Sequence, residues 1–69
     1  MPEKWTGTLV GKMHNECVSV VDLANELGVS RSYVWMILNG ARKPPNAKKR
    51  LNDAFDAIVQ RRASERASQ

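Results

Sequence analysis

The chain has 69 residues, 42% of them hydrophobic, which suits one folded domain covering 1–69 and leaves no length for a second. A domain this small has no room for the deep substrate cleft of most enzymes, so an enzyme is not expected. The formal net charge of +4 and the isoelectric point near 9.7 favour a polyanionic partner such as nucleic acid.

The first predicted helix covers about residues 5–16. Leu9 and Met13 lie four residues apart, which is the spacing of a single helical face. Gly7 and Gly11 are poor helix formers within the same stretch. We therefore expect a helix whose start is irregular.

The second predicted helix, about 19–27, has clear signals at both ends. Ser19, followed three residues later by Asp22, resembles a capping box. Gly28 supplies the left-handed residue on which helices commonly end. The inward side is a stripe of apolar residues, namely Val20, Leu23, Ala24 and Leu27.

The third predicted helix covers about 30–39. It begins at Ser30, a favourable N-cap residue, and ends at Gly40. The apolar residues that share one face are Val34, Ile37, Leu38 and Ala41. This helix therefore has one face for the core and one face left for solvent or a partner.

A fourth helix is predicted from about Asn46, after the two prolines at 44 and 45. Its inward residues are Leu51, Ala54, Phe55 and Ile58. The polar segment 61–69 is expected to fray. The sequence thus predicts a compact all-α domain of four to five helices.

Two short helices joined by a tight turn are typical of a helix-turn-helix, which we expect over about 19–40. Ala24 is small where the two helices would cross, so their axes can approach closely. Gly28 suits the positive φ of the turn, which a residue with a Cβ atom resists. Val34 and Ile37 then pack the second helix of the motif onto the first.

The segment from Asp22 to Pro45 resembles the phage lambda repressor and Cro family, also called the XRE-type family. The residues at family positions are Leu23, Ala24, Leu27, Gly28, Val29, Ser30, Val34, Ile37, Leu38, Asn39, Gly40, Arg42, Lys43 and Pro44. The resemblance is strong over 18–45 and looser in the other helices. It implies a lambda-repressor-like fold and a small Cro-like transcriptional regulator that binds double-stranded DNA sequence-specifically. Repression is the expected role, and activation is the alternative.

Two departures from the family concern structure. Many members pair an arginine of the first helix with a glutamate near the end of the recognition helix, where this sequence has Met13 and Leu38. An apolar contact is expected to replace that ion pair, and this need not cost stability. Cys17 stands where the family often has glycine before the second helix, so the geometry of that turn is left open.

The outer face of the third helix is the predicted base-contacting surface. On a helical wheel Ser32, Trp35, Met36 and Asn39 lie away from the core, and Arg31 stands at the helix N-terminus. We expect Arg31, Ser32 and Met36 to contact bases, as the resemblance also implies, with Trp35 on the same face. Arg31 bound only to phosphate is the alternative for that residue. Met36 is either an ordinary surface residue or a contact for a thymine methyl group. Trp35 has three possible partners: the DNA backbone, the first helix or a second subunit.

Phosphate contacts are expected around this helix. Residues 27–52 contain no Asp or Glu, and the cations there are Arg31, Arg42, Lys43, Lys48, Lys49 and Arg50. The predicted phosphate-contacting residues are Ser19, Tyr33, Asn39, Arg42, Lys43 and Lys48. The alternative interpretation of the cations is a solubilising face, and that of Tyr33 is packing.

The expected partner is an inverted-repeat DNA operator bound by a homodimer, because one such domain contacts too few base pairs to be specific. Dimers form either through Phe55, Ile58 and Val59 of the last helix or, on DNA, through the loop after Gly40. The second mode is favoured because so short a chain has little area for a free interface. The alternative function is a protein-interaction module or antitoxin-like partner that keeps the fold.

No metal, cofactor or small-molecule ligand is expected. A single Cys17 and a single His14 do not make a zinc site. No apolar stretch approaches the ~20 residues that span a bilayer, and the N-terminus lacks the apolar core of a signal peptide. A cytoplasmic location, in a bacterium or a phage-infected host, is therefore expected.

Overall fold

The computed structural model describes residues 3–67, which form helices and turns without any strand. In chain order the helices are α1 (Lys4–Asn15), α2 (Val20–Leu27), α3 (Arg31–Leu38) and α4 (Ala47–Ala67). The predicted all-α class is confirmed, and the described residues contain four helices. The helix bounds lie close to the predicted ones except at the end of α4.

α1 is regular from its first turn, so the predicted irregular start is wrong. The Thr6 hydroxyl donates a hydrogen bond to the Glu3 carbonyl oxygen at 2.6 Å, and Thr6 is buried. Leu9 and Met13 are also buried and attach α1 to the core. Because tertiary packing supplies most helical stability, these contacts outweigh the weak propensity of the two glycines.

The ends of α2 follow from local chemistry, as predicted. Asp22 N–H donates to Ser19 Oγ at 3.1 Å, and Ser19 N–H donates to Asp22 Oδ2 at 2.9 Å, which completes the capping box. Gly28 ends the helix at φ 72° and ψ 31°, in the left-handed region. Cys17, in the turn before α2, has φ 56°. It thus adopts the conformation that glycine would favour at that position.

The core lies among the four helices. Its buried apolar residues are Leu9, Met13, Val18, Leu23, Ala24, Val34, Ile37, Leu38, Ala47, Leu51, Ala54, Phe55 and Ile58. Met13 and Leu38, for which the sequence predicts an apolar contact, are both buried in it.

Of the two predicted dimer modes, the less favoured one, through the apolar residues of α4, is wrong for Phe55 and Ile58. Phe55 is 5% exposed and Ile58 is 3% exposed, so both belong to the core of a single chain. Val59 is half-buried and packs against that core. The three other helices are short, and they need these α4 side chains to complete the core. Phe55 and Ile58 are therefore not available to a second subunit, whereas Val59 remains partly accessible.

α4 continues to Ala67, although the segment 61–69 was predicted to fray; the last two residues lie outside the described part of the chain. Arg61 Nη2 lies 2.8 Å from Glu26 Oε1 of α2. This partner raises the pKa of Arg61 through a hydrogen bond and through its charge. The polar end of α4 is thus attached to the body by contacts that its own sequence does not reveal.

Arg62 makes the more extensive attachment. Its Nη1 donates to the carbonyl oxygens of Glu16 and Cys17 at 3.0 and 3.2 Å, and its Nη2 lies 3.4 Å from Asp22 Oδ2. These contacts join α4 to the turn between α1 and α2 and to the cap of α2. Arg62 therefore supports the turn in which Cys17 has a positive φ.

Replacing Arg62 by alanine is expected to lower the free energy of unfolding by about 1 kcal/mol. The loss combines the two carbonyl bonds with the Asp22 pair, and it is limited because the guanidinium is partly exposed to water. Arg66→Ala, at an exposed position of α4, is the matched control and should change unfolding little. Chemical denaturation of both variants measures the difference. Equal effects would contradict a stabilising role for Arg62.

The size of that difference should also depend on pH. The Ser19 N–H hydrogen bond is the main cause that holds the pKa of Asp22 below its ordinary value, and Arg62 contributes. The pKa of Asp22 is lower in the folded chain than in the unfolded chain. The stabilisation by its carboxylate is therefore complete above the unfolded-state pKa and is lost as pH falls through the folded-state pKa. The difference in the free energy of unfolding between Arg62→Ala and the unmodified chain should therefore become smaller at acid pH.

Candidate nucleic-acid interface

The side chains of α3 lie on two sides of the helix, one buried and one facing outward. The Ser30 hydroxyl oxygen accepts a hydrogen bond from Tyr33 N–H at 3.1 Å and caps the helix. The buried side consists of Val34, Ile37 and Leu38. The residues at the outer side are Arg31, Ser32 and Trp35, which are exposed, and Met36, which is half-buried. The predicted base-contacting residues therefore share one side of α3, and Met36 is the least accessible of them.

The cations of the protein fall into a paired and an unpaired group. Lys49 Nζ lies 2.7 Å from Asp53 Oδ2, and Arg61 and Arg62 pair with acids of α2. Within residues 3–67 no such pair involves the other cations of 27–52, which are Arg31, Arg42, Lys43, Lys48 and Arg50. All of these side chains are exposed. Their charges are therefore available to an external anion.

Trp35 lies beside a recess on the outer side of α3. Its side chain is 56% exposed and lines this recess of about 320 Å³ together with Val20, Arg31 and Ser32. Val20 was predicted in the core stripe of α2, but it is only half-buried. The sequence did not associate Val20 with this surface, because a helical wheel of α3 does not show which residue of another helix lies next to it.

Ser19 lies at the N-terminus of α2, where a phosphate contact is predicted. The Asp22 carboxylate accepts the Ser19 N–H bond, so a negative charge already occupies this helix end. An incoming phosphate would have the Ser19 hydroxyl proton and the N–H groups of Val20 and Val21 available. It would also be repelled by Asp22 at short range. Ser19 is thus less favourably placed for phosphate than the unpaired cations.

Arg42, Lys43 and Lys48 come together around a second recess, of about 190 Å³. Glu3 and Trp5, from the start of the chain, line the same recess. The Trp5 indole N–H donates to Glu3 Oε2 at 3.0 Å, so this carboxylate has a neutral partner and does not pair with the cations. The sequence missed both residues, because nothing near 42–48 indicates that the start of α1 lies there.

The other two predicted phosphate residues, Asn39 and Tyr33, line neither recess. Asn39 is the exposed C-cap residue of α3. Tyr33 is half-buried and packs against the core, as in the alternative interpretation of this residue. After Asn39 the chain turns at Gly40, with φ 81°, towards the segment that carries Arg42 and Lys43.

The described residues offer few other features that could form a functional site. No group of three or more His, Cys, Asp or Glu side chains is arranged there to hold a metal ion. Cys17 is an exposed free thiol. Among the described helices, none combines the length and the apolar character needed to cross a membrane.

Comparison of the chain with protein-family models, with curated proteins and with solved structures found no match in any of the three. Function is therefore inferred from three features of the chain itself. They are the outer side of α3, the recesses at Trp35 and at Arg42, and the unpaired cations.

Proposed function

We propose that this chain is a helix-turn-helix protein that binds double-stranded DNA sequence-specifically, with α3 as the recognition helix. The observation that carries the proposal is the exposed, unpaired Arg31 at the N-terminal end of α3, in a segment (27–52) without any acidic residue. The major groove admits an α-helix, and arginine bound to guanine is the commonest specific base contact. An unpaired arginine on the outer side of a short helix suits that contact.

The arrangement of α2 and α3 supports the proposal. Each helix has eight residues, and the turn between them contains Gly28 in the left-handed conformation. Ala24 is buried, and its carbonyl oxygen accepts a hydrogen bond from the Val29 N–H at 3.0 Å. A small buried residue and a left-handed glycine are the features that let two short helices pack closely around a tight turn. They also agree with the resemblance to the lambda repressor and Cro family.

The proposed contacts divide into two classes. Arg31 and Ser32 contact base edges, with Trp35 and Met36 on the same side of α3. The cations Arg42, Lys43 and Lys48 bind phosphates, which fixes the position of the protein on the duplex but carries no sequence information. Asn39 and, less favourably, Ser19 are the further phosphate contacts, whereas Tyr33 packs against the core. Ser19 uses its hydroxyl group, because its N–H is bonded to Asp22.

The biological role follows from these contacts as part of the same proposal. The chain is a small cytoplasmic regulator of phage or bacterial type that occupies an inverted-repeat operator and represses transcription. It binds as a homodimer that assembles on DNA, because Phe55 and Ile58 are used in the core of each chain. The exposed loop after Gly40, with Ala41 and Arg42, is the surface by which two copies meet.

The salt dependence of duplex binding tests the proposal. Binding through about four phosphate contacts per subunit should make log affinity fall with log salt concentration at a slope of about −4 per subunit. Affinity is measured by fluorescence anisotropy with the full chain, first on random duplex DNA and then on a duplex selected from a random pool. The selected duplex should bind more tightly at every salt concentration.

Two variants make the test specific. Arg42→Ala removes one unpaired cation and should reduce the slope by about 1. Arg61→Ala removes an arginine that pairs with Glu26, so it should leave the slope unchanged. A slope near zero for the unmodified chain would overturn the DNA-binding proposal and favour a protein-interaction module. No enrichment of any sequence from the pool would overturn its sequence-specific part.

A further inference from the structure

The recess beside α3 combines an apolar surface with an unpaired cation. Trp35 and Val20 supply its apolar part, and Arg31 and Ser32 supply its polar part. Trp35 is 56% exposed, which is a large apolar area to leave in water. Val20 is half-buried, and its neighbour Val21 is 45% exposed, so apolar surface continues onto α2. A ligand that fills this recess therefore needs an apolar group next to a hydrogen-bond acceptor for Arg31.

We infer that the recess receives the C5-methyl group of a pyrimidine, in thymine or 5-methylcytosine, next to the base that Arg31 contacts. The inference rests on the proposed function, and it names the base that this part of the site prefers. The apolar group that a T·A pair displays in the major groove is this methyl group, and 5-methylcytosine carries the same group. The surrounding positive charge, with no acid in 27–52, suits DNA as the molecule that carries it.

The geometry divides the outer side of α3 between two functions. Arg31 lines the recess and has no acidic partner within residues 3–67, so it can reach a guanine while Trp35 and Val20 cover the neighbouring methyl group. Met36 also lies at the outer side, but it is half-buried and does not line the recess. Trp35 and not Met36 is therefore the residue that distinguishes a methylated from an unmethylated pyrimidine.

The experiment removes or adds one methyl group at a time. The duplex selected from the random pool is resynthesised with deoxyuridine in place of each single thymine, and with 5-methylcytosine in place of each single cytosine. Because every base pair contains one pyrimidine, the two series cover every position of the site. Dissociation constants are measured at one salt concentration for the unmodified chain and for Trp35→Ala, Val20→Ala and Met36→Ala.

At one position the unmodified chain should bind the methylated form about fourfold more tightly, the effect of about 0.8 kcal/mol for one buried methyl-sized group. Trp35→Ala should abolish this ratio, Val20→Ala should reduce it, and Met36→Ala should retain it. The thymine series and the cytosine series identify which methylated base is the source. Thermal unfolding of the Trp35→Ala chain checks that it remains folded, as expected for an exposed side chain.

Two results would overturn the inference while the proposed function stands. One is sequence-specific, salt-dependent binding with no methyl effect at any position. The other is a methyl effect that both Trp35→Ala and Val20→Ala leave unchanged. Absence of salt-dependent binding to any duplex would instead overturn the proposed function, and the methyl recess with it.

Discussion

Replacing Arg31 by alanine is expected to weaken binding to the selected duplex by about 1–3 kcal/mol and to change binding to random DNA little. Arg31 is exposed at the N-terminal end of α3 and has no acidic partner within residues 3–67. Its guanidinium is therefore free to make the two parallel hydrogen bonds that distinguish guanine from other bases. On random DNA those bonds are mostly not formed, so little is lost.

The matched control is Arg42→Ala, which removes the same charge from the loop after α3. Arg42 lines the recess with Lys43 and Lys48, where a phosphate contact is proposed. Its loss should weaken selected and random duplexes by the same factor, because the DNA backbone is the same in both. Anisotropy titrations of both variants on both duplexes measure the four ratios. If Arg31→Ala also weakened both duplexes equally, Arg31 would be a phosphate contact and its base-contacting role would be wrong.

The helix ends could be predicted from the sequence because each depends on residues close together in the chain. The bonds between Ser19 and Asp22, and the bond from Tyr33 to Ser30, join residues three apart. Gly28 needs only its own conformational freedom to end α2. These local interactions determine where α2 and α3 begin and where α2 ends. The bounds of α3 in turn determine which of its side chains lie on the outer side, where the candidate site is.

The end of α4 could not be predicted, because its partners are far away in the sequence. Arg61 bonds Glu26 and Arg62 bonds Asp22 across separations of 35 and 40 residues. A polar, Arg-rich segment considered alone is typical of a solvated end that frays. The same limit explains why Phe55 has two interpretations in the sequence, as a core residue and as part of a dimer surface, since only the packed helices show how much apolar surface the core needs.

Composition also could not separate the cations that hold the fold together from those left for a partner. The charges of Arg61, Arg62 and Lys49 are engaged within the chain, whereas that of Arg31 is not. The location of the unpaired cations is therefore more informative about a binding surface than the net charge is. The unpaired cations of 27–52 lie at the start of α3, in the following loop and in the first turn of α4, whereas Arg61 and Arg62 of the C-terminal half of α4 are paired with acids of α2.

Gly28→Val is expected to lower the free energy of unfolding by about 2 kcal/mol. Gly28 has φ 72°, and an L-residue in this left-handed region costs about 1–2 kcal/mol, with β-branched side chains the least tolerated. A Cβ atom at this position would meet no other atom within 4 Å, so backbone strain is the expected source of the loss. A chain of this size has roughly 3–10 kcal/mol of total stability, so the change should be large in a denaturation curve.

Gly28→Asn is the control that isolates backbone conformation, because asparagine tolerates the left-handed region better than other residues with a Cβ atom. It should cost less than half as much as valine, although its side chain is of similar size. Far-UV circular dichroism during guanidinium denaturation measures both variants against the unmodified chain. Equal losses for valine and asparagine would mean that side-chain bulk, and not φ, limits this turn. No loss for either would mean that the turn between α2 and α3 does not depend on a left-handed residue at position 28.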